Sequence, residues 1–211
     1  MTAPPRRPLP RSFFARPTDT VARDLVGCTL WVDGGEGATA GRIVETEAYL
    51  DERDPASHAG GGRTPRSAIM FGPPAVAYVY LIYGMHHCLN VVTEADGRAG
   101  AVLLRALEPL VGVAAMRARR PRSPERLLCA GPGRLCRALA IDLTWNGLPL
   151  SAAVKNPANN PAPGRVWIAA GQAPGRVTAG PRVGIRQATD LPFRFCDPDS
   201  PSLSGPAPGR L

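Results

Sequence analysis

AYVYLIYGMHHCLNVV, residues Ala77–Val92, decides how the rest of the chain is read. It divides into two short apolar strands, Ala77–Ile82 and Met85–Val92, folded back at Tyr83-Gly84. Gly84 supplies the positive φ that a tight hairpin turn demands. Three of the four tyrosines, Tyr78, Tyr80 and Tyr83, lie on the first strand and the turn, and two of the three histidines, His86 and His87, follow it. Aromatic-rich strands usually serve a core, so these rings read first as packing. A large aromatic at a hairpin tip, as Tyr83 is, is an unusual use of apolar surface.

The flanking segments set the fold class. Thr18 or Asp19 can cap a short helix through Val21 and Leu25 that stops at Gly27. Cys28–Val32 reads as a strand, Asp33-Gly34-Gly35 as a turn and Ala38–Tyr49 as a long strand. Asp51–Gly62 is a polar loop holding His58, and Thr64-Pro65 sets an N-cap before a proline, opening a short helix to Met70. Downstream, Gly100–Leu107 is a buried strand that Pro109 ends, and Gly112–Arg119 is a helix. Ser123-Pro124-Glu125 starts another helix, and Gly131-Pro132-Gly133-Arg134 opens an amphipathic one over Leu135–Ala140. Lys155–Gly164 is a Pro- and Asn-rich surface loop; Val166–Ala170, Arg182–Arg186 and Phe193–Cys196 are short strands. Strands joined by hairpins, with helices inserted, give a single α+β domain rather than a doubly wound sheet. The expected boundaries are a disordered basic tail over 1–16, a folded domain over 17–197 and a loose Pro/Ser/Gly tail over 198–211.

Composition narrows the function. The 211 residues are 44% hydrophobic, enough for a real core. The formal charge is +8, carried almost wholly by arginine, since Lys155 is the only lysine. Such a surplus suits a polyanion partner, nucleic acid ahead of an acidic membrane surface. The five cysteines are odd in number, lack a CxxC and lie mostly in apolar runs, which reads as reduced, buried thiols of a cytoplasmic protein. His86-His87-Cys88 is contiguous rather than ligand-spaced, so no metal site is expected. No apolar run approaches the ~18 residues of a membrane span, and the N-terminus lacks the apolar core of a secretory signal.

The groups able to do chemistry are concentrated: all four tyrosines fall between Tyr49 and Tyr83, all three histidines between His58 and His87. In IVETEAY, Ile43–Tyr49, the period of two puts Glu45, Glu47 and Tyr49 on one face. That pattern fits a general base with its neighbour, and equally the solvated edge of a strand. Arg105, set among apolar residues in AVLLRAL, must meet a carboxylate or a phosphate, with Glu45 or Glu47 the natural partner. Asn90 in CLNVV either holds the hairpin or presents a polar group to a ligand edge. The amides opening the helix at Gly131, Gly133 and Arg134 can take a phosphate, although the pattern is not a nucleotide-triphosphate loop. Arg117, Arg119, Arg120, Arg122 and Arg126 form a basic cluster that suits backbone contacts or a solvated face. Lys155, far in sequence from these groups, argues against a covalent amine route and for water as nucleophile.

Taken together, RIVETEAY (Arg42–Tyr49), DPASHA (Asp54–Ala59), GRTPR (Gly62–Arg66), MFGPP (Met70–Pro74), the hairpin itself, AVLLRALEP (Ala101–Pro109) and GPGRLCRALAI (Gly131–Ile141) resemble the alkyladenine (3-methyladenine) DNA glycosylase family. The resemblance runs from about Val21 to Phe195. It implies a mostly antiparallel curved β-sheet with flanking helices and a protruding β-hairpin. It implies a monofunctional, cofactor-free enzyme, acting as a monomer, that flips damaged purines out of double-stranded DNA. By the same resemblance Glu47 is the general base, Arg105 helps hold the water and the Val183 carbonyl is a third contact to it. Tyr49, His58 and Tyr80 are pocket walls, Asn90 crowds the 2-amino group of guanine, and Tyr83 enters the minor groove. Ser67 stands where the family commonly has Asn, and Pro74-Ala75-Val76 replaces a usual glycine, departures that bear on loop geometry.

Overall fold

The computed structural model describes residues 7–35, 37–151 and 163–209. Its frame is α1 (Arg11–Phe14), α2 (Thr18–Leu25), β1 (Thr29–Asp33), β2 (Ala38–Tyr49), β3 (Ala77–Ile82), β4 (His86–Val92), β5 (Ala101–Val111), α3 (Val113–Arg119), α4 (Pro132–Leu139), β6 (Arg165–Ala169), β7 (Thr178–Gly180) and β8 (Arg194–Cys196). The strands form one antiparallel sheet in the order β3-β4-β5-β2-β1-β6, with β8 also pairing β2 and carrying β7. The expected single α+β domain with a curved sheet and a projecting hairpin is what the chain builds.

β2 organises the sheet. One of its edges pairs β5; the other pairs β1 at its start and β8 at its end. Register shifts flank Glu45 on the β5 side: Glu45 lies opposite Ala106 and Thr46 opposite Leu104, so Arg105 is the unpaired extra residue of a bulge. A bulge re-aims the side chain it carries, and here it turns Arg105 toward the carboxylates of β2. Apolar side chains from α2, α4 and the sheet fill the main core, among them Leu25, Ile43, Leu89, Leu104 and Leu139. A smaller cluster, with Met70, Val76, Tyr78 and Val92, lies under the β3–β4 end and carries Tyr80 against it.

The hairpin is sharper than Gly84 alone predicts. Tyr83 (φ 54°) and Gly84 (φ 69°) both take positive φ, and the Met85 N–H donates to the Ile82 carbonyl at 3.2 Å. Two positive-φ residues inside that bond make a type I′ turn, whose twist matches the strands it joins. Ala75, within the segment that replaces the family's usual glycine, also takes a positive φ, 67°.

Several expectations are corrected. The basic segment expected to be a tail is folded from residue 7 onward. Leu9 N–H donates to the Ile168 carbonyl at 2.7 Å, and Phe14 is fully buried; burying such a ring is worth about 1.5–3 kcal/mol. The segment after Cys196 is packed as well, with Ser200, Ser202 and Ala207 buried, because Ser204 supplies donors to a buried carboxylate. Arg182–Arg186 is not a strand; Arg182 turns inward to an ion pair and Val183 spends its N–H on a side chain. Pro109 does not end β5, since it sits opposite Gly41 at a register shift where its missing N–H is tolerated. The turn after Thr64 tightens into a 3-10 segment, Ala68–Phe71, not an α-helix. Pro17 rather than Thr18 or Asp19 occupies the N-cap of α2, and Thr18 Oγ1 instead meets Thr93 and Glu94. Most of the Lys155–Gly164 loop lies outside the described residues.

Candidate active site

The strongest concentration of buried charge lies where β2, β5 and β8 meet. Glu45 and Glu47 are both fully buried. Arg105 donates from Nε to Glu45 Oε1 at 2.9 Å and from Nη1 to Glu47 Oε2 at 3.2 Å. Arg194 on β8 donates from Nε to Glu45 Oε1 at 2.8 Å. The sequence expectation that Arg105 meets Glu45 or Glu47 is exceeded, because it binds both.

The two carboxylates are pushed apart. Burial pushes Glu47 above its ordinary value, even though Arg105, the Val183 N–H and the Tyr49 hydroxyl favour its charged form. Burial acts upward on Glu45 too, but Arg105, Arg194 and two bonds from Ser204 outweigh it and hold it low. Two neighbouring carboxyls with opposite shifts are the arrangement that separates a proton acceptor from a permanent anion. Glu47 is further bound by the Val183 N–H, donating to Oε1 at 2.6 Å, and by the Tyr49 hydroxyl, donating to Oε2 at 2.8 Å. The observed Val183 contact is thus its N–H on Glu47; the expectation had assigned its carbonyl to a water.

All three partners of Glu47 line a cleft of about 230 Å³, together with His58, Tyr78, Tyr80, Cys88 and Asn90. His58 meets Tyr80 edge-on with ring centroids 4.7 Å apart, and its Nδ1 bonds the Tyr78 hydroxyl at 2.8 Å. Burial and the Arg66 charge push the His58 imidazole down to about 4, so it is neutral near pH 7. Tyr78, one of the hairpin rings read first as packing, is buried and is also a partner of His58. Asn90 is buried, and its Nδ2 donates to the Tyr78 carbonyl at 3.0 Å. That bond fixes the amide at the cleft wall and bears out the reading in which Asn90 holds the hairpin. Tyr83 stands at the cleft rim, 81% exposed.

Beside the cleft, a second groove of about 840 Å³ is lined by His86, His87, Arg120, Gly131, Gly133, Arg134 and Arg137. Arg105 and Pro132 border both spaces. Gly133 lets the start of α4 pack closely on His86: a Cβ on it would lie 3.0 Å from the Cβ of His86, a tight contact. Arg134 donates to the Ala130 carbonyl at 3.1 Å. The basic cluster of α3 is partly structural, since Arg119 and Arg120 donate to main-chain carbonyls and Arg117 pairs with Glu125.

Sequence reasoning missed three members of the site. Arg182, with no exposed side-chain surface, forms a two-pronged ion pair with Asp54 at 2.6 and 2.8 Å. Its guanidinium also lies 4.7 Å from the Tyr49 ring centroid. Arg182, 128 positions beyond Asp54, also donates to the Ala48 carbonyl at 2.9 Å, and so ties the His58 loop to the end of β2. Arg194 and Ser204, both on Glu45, are equally remote from it in sequence. No local signal marks any of them beyond the rule that a buried arginine has a partner.

A family model described as Methylpurine-DNA glycosylase (MPG) matches residues 12–201. The chain is 50% identical over 200 residues to a relative from Nitrobacter winogradskyi, covering 95% of this chain and 88% of the relative. It is 45% identical over 207 residues to one from Methanocella arvoryzae, covering 96% and 98%. It is 46% identical over 207 residues to one from Myxococcus xanthus, covering 96% of each. All three relatives carry provisional names as 3-methyladenine DNA glycosylases. The class is thereby defined: a DNA-repair glycosylase, with DNA as its substrate. Within that class, the chain belongs to the methylpurine-DNA glycosylase family.

Proposed function

We propose that the protein is a monofunctional glycosylase that flips 3-methyladenine, 7-methylguanine, hypoxanthine or ethenoadenine out of double-stranded DNA and hydrolyses the N-glycosidic bond, leaving an abasic site. The observation that carries this reading is Glu47, buried with a raised pKa and bonded to three groups that line an aromatic cleft. A water that takes over one of those three bonds is held against the carboxylate. Glu47 accepts the water's proton as the oxygen attacks C1′; the C1′–N bond breaks and its electron pair leaves with the purine. Sugar positive charge develops in that step, and a buried carboxylate offsets it.

The pocket chemistry supports the alkylated members of this lesion class. An N3- or N7-alkylated purine is cationic, so it favours the faces of aromatic rings. Tyr49, Tyr80 and a neutral His58 supply such faces, and a protonated imidazole would repel the base. Asn90, locked on the Tyr78 carbonyl, meets the 2-amino edge of guanine as an obstacle. Tyr83 fills the space that the flipped nucleotide leaves, and the groove at Gly131, Gly133 and Arg134 takes the phosphate backbone. The route uses no amine, and the protein acts as a single chain.

The test is a panel of duplexes carrying each lesion, read by alkaline strand cleavage at abasic sites. Release of at least one alkylated or deaminated purine is expected. Tight lesion binding with no release on any of them would make the protein a non-catalytic damage binder. Borohydride is expected to trap no protein–DNA adduct, and a trapped adduct overturns the water route.

A further inference from the structure

We infer that Ser204 is a positioning residue for base excision: together with Glu45 it holds the Arg105 guanidinium in the one orientation that reaches Glu47. The inference rests on the reading of Glu47 as the base. Ser204 lies just past residue 201, where the family match ends, in a segment whose Pro, Ser and Gly content predicts a loose tail.

The geometry is specific. Ser204 donates twice to the buried Glu45 carboxylate, from its main-chain N–H to Oε2 at 2.7 Å and from Oγ to Oε1 at 2.7 Å. The same Oγ accepts from Arg105 Nη2 at 3.1 Å. A serine hydroxyl has one proton to give; here it gives that proton to Glu45 and receives one from Arg105. The guanidinium is consequently tied at two corners, Nε on Glu45 and Nη2 on Ser204. It is planar and rigid, so with two corners tied its third nitrogen, Nη1, has one direction left, and that direction is Glu47.

The surrounding charges sharpen the consequence. Arg105 and Arg194 face Glu45; Arg105, the Tyr49 hydroxyl and the Glu45 carboxylate face Glu47; the Cys196 thiol lies near Glu45 and the Cys88 thiol near Arg105. Without the Ser204 hydroxyl, Glu45 loses one of its donors and Arg105 is drawn further onto it. Glu47 then loses the cation that favours its charged form.

The experiment uses the full chain as wild type, Ser204→Ala, Ser204→Thr and Glu47→Gln. Single-turnover excision of the lesion released fastest in the panel is followed across pH, with lesion-duplex affinity and melting temperature measured alongside. Ser204→Ala is expected to slow excision by about tenfold, within the range that misplacing a catalytic group produces, while affinity stays within about twofold. Its acid limb is expected to move to higher pH, and Ser204→Thr, which keeps the hydroxyl, to restore both rate and limb. An unchanged rate and limb in Ser204→Ala, even with a lower melting temperature, reduces Ser204 to a tether and overturns the inference. So does Ser204→Thr behaving as Ser204→Ala. An inactive wild type or a fully active Glu47→Gln instead overturns the reading of Glu47, and this inference with it.

Discussion

Nη1 of Arg105 lies 3.2 Å from Oε2 of Glu47, and both side chains are shut away from solvent. The strand pairing alone does not bring them together, because Glu47 lies opposite Leu103 and Arg105 has no partner in the ladder. The bulge does it, by turning Arg105 out of the alternation and onto two carboxylates. A buried pair of this kind contributes little net stability once desolvation is counted. Its effect falls instead on Glu47, whose charged form Arg105 favours.

Glu47→Gln should abolish release of the damaged base and leave binding of the lesion duplex intact. General-base catalysis is commonly worth about 10²–10⁴-fold, so single-turnover excision should fall by at least about a hundredfold. Near wild-type excision in this variant removes Glu47 from the role of base.

The pH dependence follows from the direction of the Glu47 shift. Burial raises its pKa, and a general base works only when deprotonated. Excision should therefore fall off on the acid side at a pH above the ordinary glutamate range, with a limb that reports one proton. His58, at about 4, should leave no separate limb near pH 6–7. A rate that holds flat down to the ordinary glutamate range shows that Glu47 is not the titrating group.

Much of this layout was legible in the sequence, and the reasons are local. β2 and the first strand of the hairpin agree with their expected bounds, because period-two alternation and the Tyr83-Gly84 turn are short-range signals. The Arg105–carboxylate cluster was legible because a lone arginine in an apolar strand needs a partner. What stayed hidden has long range. Nothing near Ser204 shows that it serves a carboxylate 159 positions away. Nothing near Arg182 marks Asp54, and a bulge at Arg105 cannot be counted from alternation. The packed ends show the same limit: proline-rich composition predicted loose tails at both, while Phe14 and Ser204 find buried partners.

Tyr83 combines exposure with backbone strain, and the two predict opposite effects of one substitution. A bulky residue at positive φ costs about 1–2 kcal/mol, and Tyr83 gains almost nothing from packing at 81% exposure. Tyr83→Asn should relax the turn, since Asn tolerates that region, and raise or leave unchanged the midpoint of thermal unfolding. Lesion-duplex affinity should fall at the same time. A drop in stability with unchanged affinity makes Tyr83 a packing residue and removes it from the DNA interface.

Asp54→Asn tests the tie beneath Tyr49. The Arg182 and Asp54 side chains are 0% and 1% exposed, so removing the carboxylate charge strands a buried guanidinium. Breaking a buried pair in this way costs about 3–5 kcal/mol, readable as a lower denaturant midpoint in chemical unfolding. The sign of its pH dependence is set by Asp54. Burial pushes that carboxyl up, but Arg182 and the N–H groups of Leu50 and Ala56 outweigh it and leave it below its usual 3.8. A depressed acid stabilises the fold fully above its unfolded pKa and loses that contribution as pH falls through the folded one. The stability gap between wild type and Asp54→Asn should accordingly be constant near neutrality and begin to close only below about pH 3.8. A gap that closes near pH 6 assigns the stabilisation to a different group. Because Arg182 also stacks on Tyr49, which donates to Glu47, the variant should excise more slowly even where it remains fully folded. Equal excision rates for the folded variant and wild type would separate the tie from the chemistry and leave Arg182 a purely structural cation.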